Sequence, residues 1–297
     1  MPMPLSRTLE GSLLFLLVVL PAGCPWNAAG TSGCRPTGPP LPLPEALNES
    51  SGIAPSLSHP GVLWTHNDGQ DPFLYAINER GDLLATIRVL GTRMRDWEDL
   101  ATAPCGDEAC IYLADTGDNP EVRREIKLLR LPDSGRVEDG SREAQVFPMI
   151  LPNGPRDIEA LYVLPGEDVY LVSKGRSDAN TVYRYPPPLR EGESVTLEEV
   201  QTLSEGAMPI PAQITGADAS PDGKFVVIRT YQDMVFYRVE EGHLIPMEGA
   251  RVALRTLQEP QGEGVAFGDG NRVFLTTEAG SFGGVASLRI LDCQVVH

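Results

Sequence analysis

Asp96-Trp97-Glu98-Asp99-Leu100-Ala101 sets acidic residues directly against the start of an apolar strand. Similar stretches are Glu49-Ser50-Ser51-Gly52-Ile53-Ala54, Asp157-Ile158-Glu159-Ala160-Leu161-Tyr162, Gln213-Ile214-Thr215-Gly216-Ala217-Asp218 and Gln261-Gly262-Glu263-Gly264-Val265-Ala266. Aligned on their third residue, the anchors are Ser51, Glu98, Glu159, Thr215 and Glu263. A long-period repeat of this kind marks a repeat architecture.

Each anchor is followed by a polar turn and an apolar second strand: Val62–Thr65, Ile111–Ala114, Val169–Val172, Phe225–Ile228 and Val273–Thr276. A third, alternating strand comes next, as in Phe73–Ile77, Thr181–Tyr185 and Met234–Tyr237, and most repeats add a fourth, such as Leu83–Ile87 and Ala144–Phe147. Period-two alternation between turn signals such as Ser220-Pro221-Asp222-Gly223 is the mark of strands in meanders. The chain is therefore expected to be all-β, a single β-propeller of five four-stranded blades over residues 46–297. A sixth, degenerate blade within residues 120–156 is the alternative. The last repeat runs out of chain near Asp292, so an N-terminal strand within Leu43 to Asn48 should complete its blade.

Residues 1–24 read as an export segment, with Arg7, the short apolar run Leu13–Leu20 and the ending Leu20-Pro21-Ala22-Gly23-Cys24. That run is too short to span a bilayer. The ending resembles a bacterial lipoprotein box, which would make Cys24 a lipidated N-terminus. The protein is then an envelope lipoprotein, or secreted if the segment is simply cleaved. The membrane is met only through that anchor. Residues 25–45, rich in Pro, Gly and Ser, read as a tether. In an oxidising compartment, Cys105 is expected to pair with Cys110 across a tight turn, and Cys34 with Cys293 across the ring closure. No Cys-x-x-Cys pair offers a thiolate zinc site. A net charge of -17 argues against nucleic acid as a partner.

In a propeller the innermost strand begins on the face where the second strand ends. The residues after each second strand should therefore share a face with the anchors. These residues are His66-Asn67-Asp68, Asp115-Thr116-Gly117-Asp118-Asn119, Ser173-Lys174-Gly175, Arg229-Thr230-Tyr231 and Thr277-Glu278. The offset from anchor to second-strand end is 14 to 17 residues in every repeat. The expected channel mouth is His66, Asp68, Glu98, Asp115, Asp118, Glu159, Lys174, Thr215, Arg229, Tyr231, Glu263 and Glu278. Charges of both signs in a concave site suit a small polar ligand, a surface protein or a metal. Glu98, Asp115, Glu159 and Glu263 are the candidate metal ligands. Calcium is the candidate ion, because the donors are oxygens and histidine is scarce. The structural alternative is that these acids cap free backbone N–H groups, with Lys174 and Arg229 neutralising Glu159 and Glu263.

Ser51–Ala54, Trp64–Asp68, Asp96–Ala101, Ala114–Asn119 and Ile214–Asp218 resemble a group of exported bacterial propeller proteins without an assigned activity. The resemblance covers about residues 45–290. More distantly the chain is similar to phytase-like propellers with esterase-like roles, and to TolB-type repeats through Ser220–Lys224. Gluconolactonase-type propellers are a further analogy. They imply a central divalent metal, but their ligand motifs find no residue-by-residue match here. Fold kinship leaves two functions open. One is a monomeric binding propeller that uses its charged mouth. The other is a calcium-assisted hydrolase of phosphate or ester substrates, with Arg229 and Lys174 on the anion. No catalytic residue is identifiable, because no nucleophile is paired with a base.

Overall fold

A computed structural model describes Met1 and residues 33–69, 71–281 and 283–294. The export segment and Cys24 lie outside the described residues. The described chain is built of strands, with three short 3-10 turns and no α-helix.

The strands form five sheets, the blades of a propeller, each built on an antiparallel meander. After β1 (Cys34–Pro36) and β2 (Leu41–Pro42), the first blade holds β3 (Ser50–Pro55), β4 (Val62–Asn67), β5 (Phe73–Asn78) and β6 (Leu83–Leu90). The second has β7 (Trp97–Cys105), β8 (Glu108–Asp115), β9 (Ile126–Pro132) and β11 (Gln145–Ile150), with β10 (Gly140–Glu143) pairing parallel to β6. The third has β12 (Ile158–Leu164), β13 (Asp168–Ser173), β14 (Thr181–Arg184) and β16 (Glu198–Thr202), while β15 (Val195–Thr196) joins β11. The fourth has β17 (Ile214–Ala219), β18 (Phe225–Thr230), β19 (Asp233–Glu240) and β20 (His243–Ala253). The fifth has β21 (Gln261–Phe267), β22 (Arg272–Glu278) and β23 (Ser287–Cys293), completed by β1 and β2.

Residues 120–156 thus belong to the second blade and the rim of the first, and form no sixth blade. The closing strand is also earlier than Leu43 to Asn48. β1 pairs Cys34 with Cys293, and β2 pairs Pro42 with Ser287. The propeller therefore begins inside the stretch 25–45 that reads as tether. Pro36 and Pro42 are tolerated there because an outer edge strand can face its missing N–H to solvent. Leu43 and Leu47 instead bury themselves between the fifth and first blades. Disulfides join Cys34 to Cys293 and Cys105 to Cys110. The first encloses most of the chain and restricts the unfolded state by on the order of 5 kcal/mol in the chain-entropy model.

The core is divided among the blade interfaces. One apolar cluster lies between each pair of neighbours, such as Trp64, Leu74, Leu100 and Ile111 between the first and second blades. Of the innermost strands, β12 is buried from end to end, and the other four are buried except toward one end. The outer β20 alternates instead. Asp99 ties three innermost strands together, accepting N–H bonds from Leu100, Leu161 and Ala217.

Candidate functional site

In every blade the ladder between the innermost and second strands slips at the anchor. The slips fall between Ser50 and Ile53, Trp97 and Leu100, Ile158 and Ala160, Ile214 and Gly216, and Gly262 and Val265. A bulge leaves residues out of the ladder and re-aims their side chains. Ser51, Glu98, Glu159 and Glu263 accordingly line a cavity of about 200 Å³. Its other walls are Asp68, Lys174, Tyr231 and Glu278 from second-strand ends, with Asn119, Arg176 and Gln261.

Lys174 Nζ donates to Glu159 Oε1 at 2.6 Å and stands 4.0 Å from Asp157 Oδ2. Arg176 donates to Asp157 at 3.3 Å. Gln261 Nε2 bridges two acids, reaching Glu263 Oε1 at 2.9 Å and Glu278 Oε2 at 2.7 Å. Burial raises the carboxyls of Asp68, Glu98, Glu159, Glu263 and Glu278, and neighbouring acids add to it. Asp68 and Glu263 are pushed up to about 7, and Glu278 to about 9. Glu98 lies well above the ordinary range through burial and the charges of Glu159, Asp68 and Asp96. Glu159 is raised by burial despite Lys174 beside it. Burial alone would lower the Lys174 ammonium, but Glu159 holds it above the ordinary lysine value. Carboxyls are thus crowded here with too few cations to balance their full ionisation.

Two trios of carboxylates each bring oxygens within 4.8 Å of one another: Asp68, Asp96 and Glu98, and Glu98, Asp157 and Glu159. Gly117 makes the first trio possible. A Cβ there would fall 1.8 Å from Glu98 Oε1 and 2.6 Å from Asp96 Oδ2. All-oxygen donors at this spacing fit calcium by the chemistry of the donor set.

Seven of the twelve expected mouth residues line the cavity: Asp68, Glu98, Glu159, Lys174, Tyr231, Glu263 and Glu278. Asp118 stands beside it, in a neighbouring cavity of about 330 Å³ that also holds Asp68 and Asp96. The other four do not reach the mouth. His66 is fully buried, edge-on to Trp97 at 5.8 Å, and burial lowers it to about 4. Asp115 pairs with Arg123 at 3.1 Å and accepts the Asp96 N–H. Thr215 donates to the Glu263 carbonyl of the next blade. Arg229 is completely buried, donating to the carbonyls of Gly264 and Thr276 and to Glu259. Of the expected metal set, Glu98 and Glu159 belong to the trios. Asp115 and Glu263 do not, and Asp68, Asp96 and Asp157 take their place.

Ser51, Asp96, Asn119, Asp157, Arg176 and Gln261 stand at or beside the mouth without being among the twelve residues expected there. A signal existed for three of them. Asp96, Asp157 and Gln261 precede Glu98, Glu159 and Glu263 by two residues, the spacing of one strand face.

No protein-family model matches the chain, and no curated protein sequence does. Among solved structures, the major allergen Mala s 1 of Malassezia sympodialis superposes with a TM-score of 0.55 at 8% identity, covering 85% of this chain and 96% of that one. The PQQ-bound aldose sugar dehydrogenase of Streptomyces coelicolor gives 0.53 at 12% identity, covering 87% and 97%. A gluconolactonase of Xanthomonas campestris gives 0.44 at 14% identity, over 90% and 99%. At such identities the first two show a shared propeller fold and nothing of the site.

Proposed function

We propose that this chain is an exported, membrane-anchored propeller that binds a cation at its channel mouth, together with the small polar ligand or surface partner that the cation holds. One observation carries the reading. The anchor bulges turn Glu98, Glu159 and Glu263 toward Asp68 and Glu278, and only Lys174 and Arg176 oppose them. Such a site lowers its own repulsion by taking up protons or a metal ion. Calcium would be held by Asp68, Asp96 and Glu98, with Glu159 and Asp157 flanking. The anchoring rests on residues 1–24, with Cys24 as the lipidated terminus, and on the resemblance to exported bacterial propellers. Intact-mass analysis of the membrane fraction checks it: a mature chain beginning beyond Cys24 removes the anchor. The working form is taken to be a monomer.

Isothermal titration of metal-free protein with calcium tests the mouth. Saturable binding is expected, in the range of about 10⁻⁴ to 10⁻³ M found for extracellular modules. Glu98→Gln should lose it, and Glu278→Gln should weaken it. The absence of any calcium heat at millimolar concentrations would defeat the reading.

The carboxylate trios also favour a second reading, calcium-assisted hydrolysis of a phosphate or ester. A calcium ion would supply Lewis-acid polarisation and an activated water. This chain's part would be to hold the ion with Asp96 and Glu98 and to orient the substrate. Arg229 is not available for the anion, and Lys174 is engaged with Glu159. Chelator-sensitive turnover of a chromogenic phosphoester or ester would support this reading, and none would remove it.

A further inference from the structure

On the face that carries the mouth, the loops of the first two blades enclose a larger cavity, of about 890 Å³. Arg88, Arg93, Arg95, Arg124 and Lys127 line it, together with the buried Arg123. These are six of the 24 basic residues in a chain with 41 acids. Their neutralisation is sparse. Arg123 is paired with Asp115. Among the described residues, Lys127 Nζ finds only the neutral Thr92 hydroxyl, at 3.1 Å, and Arg88 lies 5.9 Å from the Phe73 ring centroid. Arg93, Arg95 and Arg124 are exposed and make no ion pair among the described residues. Glu125 is the one acid in the lining, and its carboxylate accepts from the Ser194 hydroxyl.

An acid-rich surface offers ample means to neutralise these groups locally, yet they face a common space. Like charges gathered around a concavity raise its potential and draw in a counter-ion. Guanidinium forks on several walls suit a tetrahedral, multiply charged group. A phosphoryl group can accept paired N–H bonds from more than one arginine, whereas a planar carboxylate fills a single fork. Arg95 and Arg123 also line the cavity of Asp68 and Asp96, which meets the mouth at Asp68. The open face therefore runs from a basic rim to an acidic centre.

We propose that this basic cavity binds a small, soluble anion carrying two or more phosphoryl groups. The site is separate from the cation-binding mouth and does not rest on that reading.

Titration with tripolyphosphate in metal-free, low-salt buffer tests it. Saturable binding that weakens steeply with salt is expected. Arg93→Ala, Arg95→Ala and Arg124→Ala should each weaken it about tenfold, as loss of a charged hydrogen bond does. The triple variant should reduce it to the noise. These side chains are exposed, so the melting temperature should hold, and calcium binding at the mouth should persist. Citrate, with carboxylates in place of phosphoryl groups, should bind more weakly than tripolyphosphate. Absence of tripolyphosphate binding to the unmodified protein would overturn the proposal, as would unchanged affinity in the triple variant or tighter binding of citrate. Loss of binding in Glu98→Gln but not in the arginine variants would place the anion at the mouth and also overturn it. Co-sedimentation with phosphatidate vesicles separates a lipid headgroup from a soluble ligand. Vesicle binding that tripolyphosphate fails to displace would overturn the soluble assignment.

Discussion

Lys174 and Arg229 stand near the same end of the second strand in neighbouring blades, and the fold uses them in opposite ways. β13 ends at Ser173, opposite Ile158, so Lys174 is the first residue past the strand. β18 ends at Thr230, opposite Ile214, so Arg229 lies one residue inside it. The true counterpart of Lys174 is Tyr231, which also lines the mouth. A one-residue shift reverses the face to which a strand side chain points. Lys174 therefore meets Glu159 in the cavity. Arg229 runs between the fourth and fifth blades to Glu259 and to the carbonyls of Gly264 and Thr276. A charged residue at a strand end is thus no evidence for a site until its register against the bulge is known.

Arg229→Met tests the buried side of that contrast and should have the largest effect. It leaves Glu259 and two carbonyls without their donor, which should cost about 3–5 kcal/mol in urea unfolding. Calcium affinity should be unchanged. A normal stability with lost calcium binding would return Arg229 to the mouth.

The next effect is the pH dependence of stability. Folding raises the carboxyls of Asp68 and Glu263 from the ordinary range to about 7, and that of Glu278 to about 9. A raised carboxyl binds its proton more tightly in the folded state. Its contribution is therefore complete below about pH 4 and is lost as the pH rises through 7 to 9. Glu263, which is buried, accounts for up to about 3 kcal/mol of this by the value of a pKa unit. Thermal melts in chelator should fall from pH 5 to pH 9, and calcium should restore more at pH 9 than at pH 5. Arg229→Met should keep the same slope from a lower starting point. A flat profile in chelator would mean that the mouth carboxylates are not held close together.

Lys174→Met should have the smallest effect on stability and the opposite effect on binding. Glu159 can take up a proton when its partner is lost, because burial already favours the neutral acid. The cost should stay near ~1 kcal/mol, while removal of a cation should tighten calcium about tenfold, equivalent to ~1.4 kcal/mol. Weaker binding would instead show that Lys174 contacts the ligand itself.

The blade count was legible because each innermost strand is buried over most of its length and begins with the same polar-to-apolar switch. The five anchors fall in the five innermost strands, and the second strands follow where the apolar runs stand. Closure was legible in kind but not in place. Proline and glycine around Thr37–Pro42 look like linker, and only the vacant edge of β23 turns that stretch into strands. The cysteines pointed to the same closure correctly, since the bridge Cys34–Cys293 needs both chain ends in one blade.

The mouth was legible as a face and only partly as a set of contacts. Asp68, Glu98, Glu159 and Glu278 could be placed there by spacing alone, because strands that pair antiparallel must bring anchor and strand end together. The fate of Asp115, Thr215 and Arg229 could not, because each is claimed by a partner from a distant part of the chain or by a neighbouring loop: Arg123, the Glu263 carbonyl and Glu259. The basic cavity was invisible in the sequence, where its arginines are scattered over three separate segments. Repetition along the chain thus determined the propeller, its blades and the face that carries the charge. Only the tertiary structure decided which charges face the channel and which are neutralised between blades. That choice depends on single-residue register at the bulges and on partners that folding alone brings within hydrogen-bonding distance.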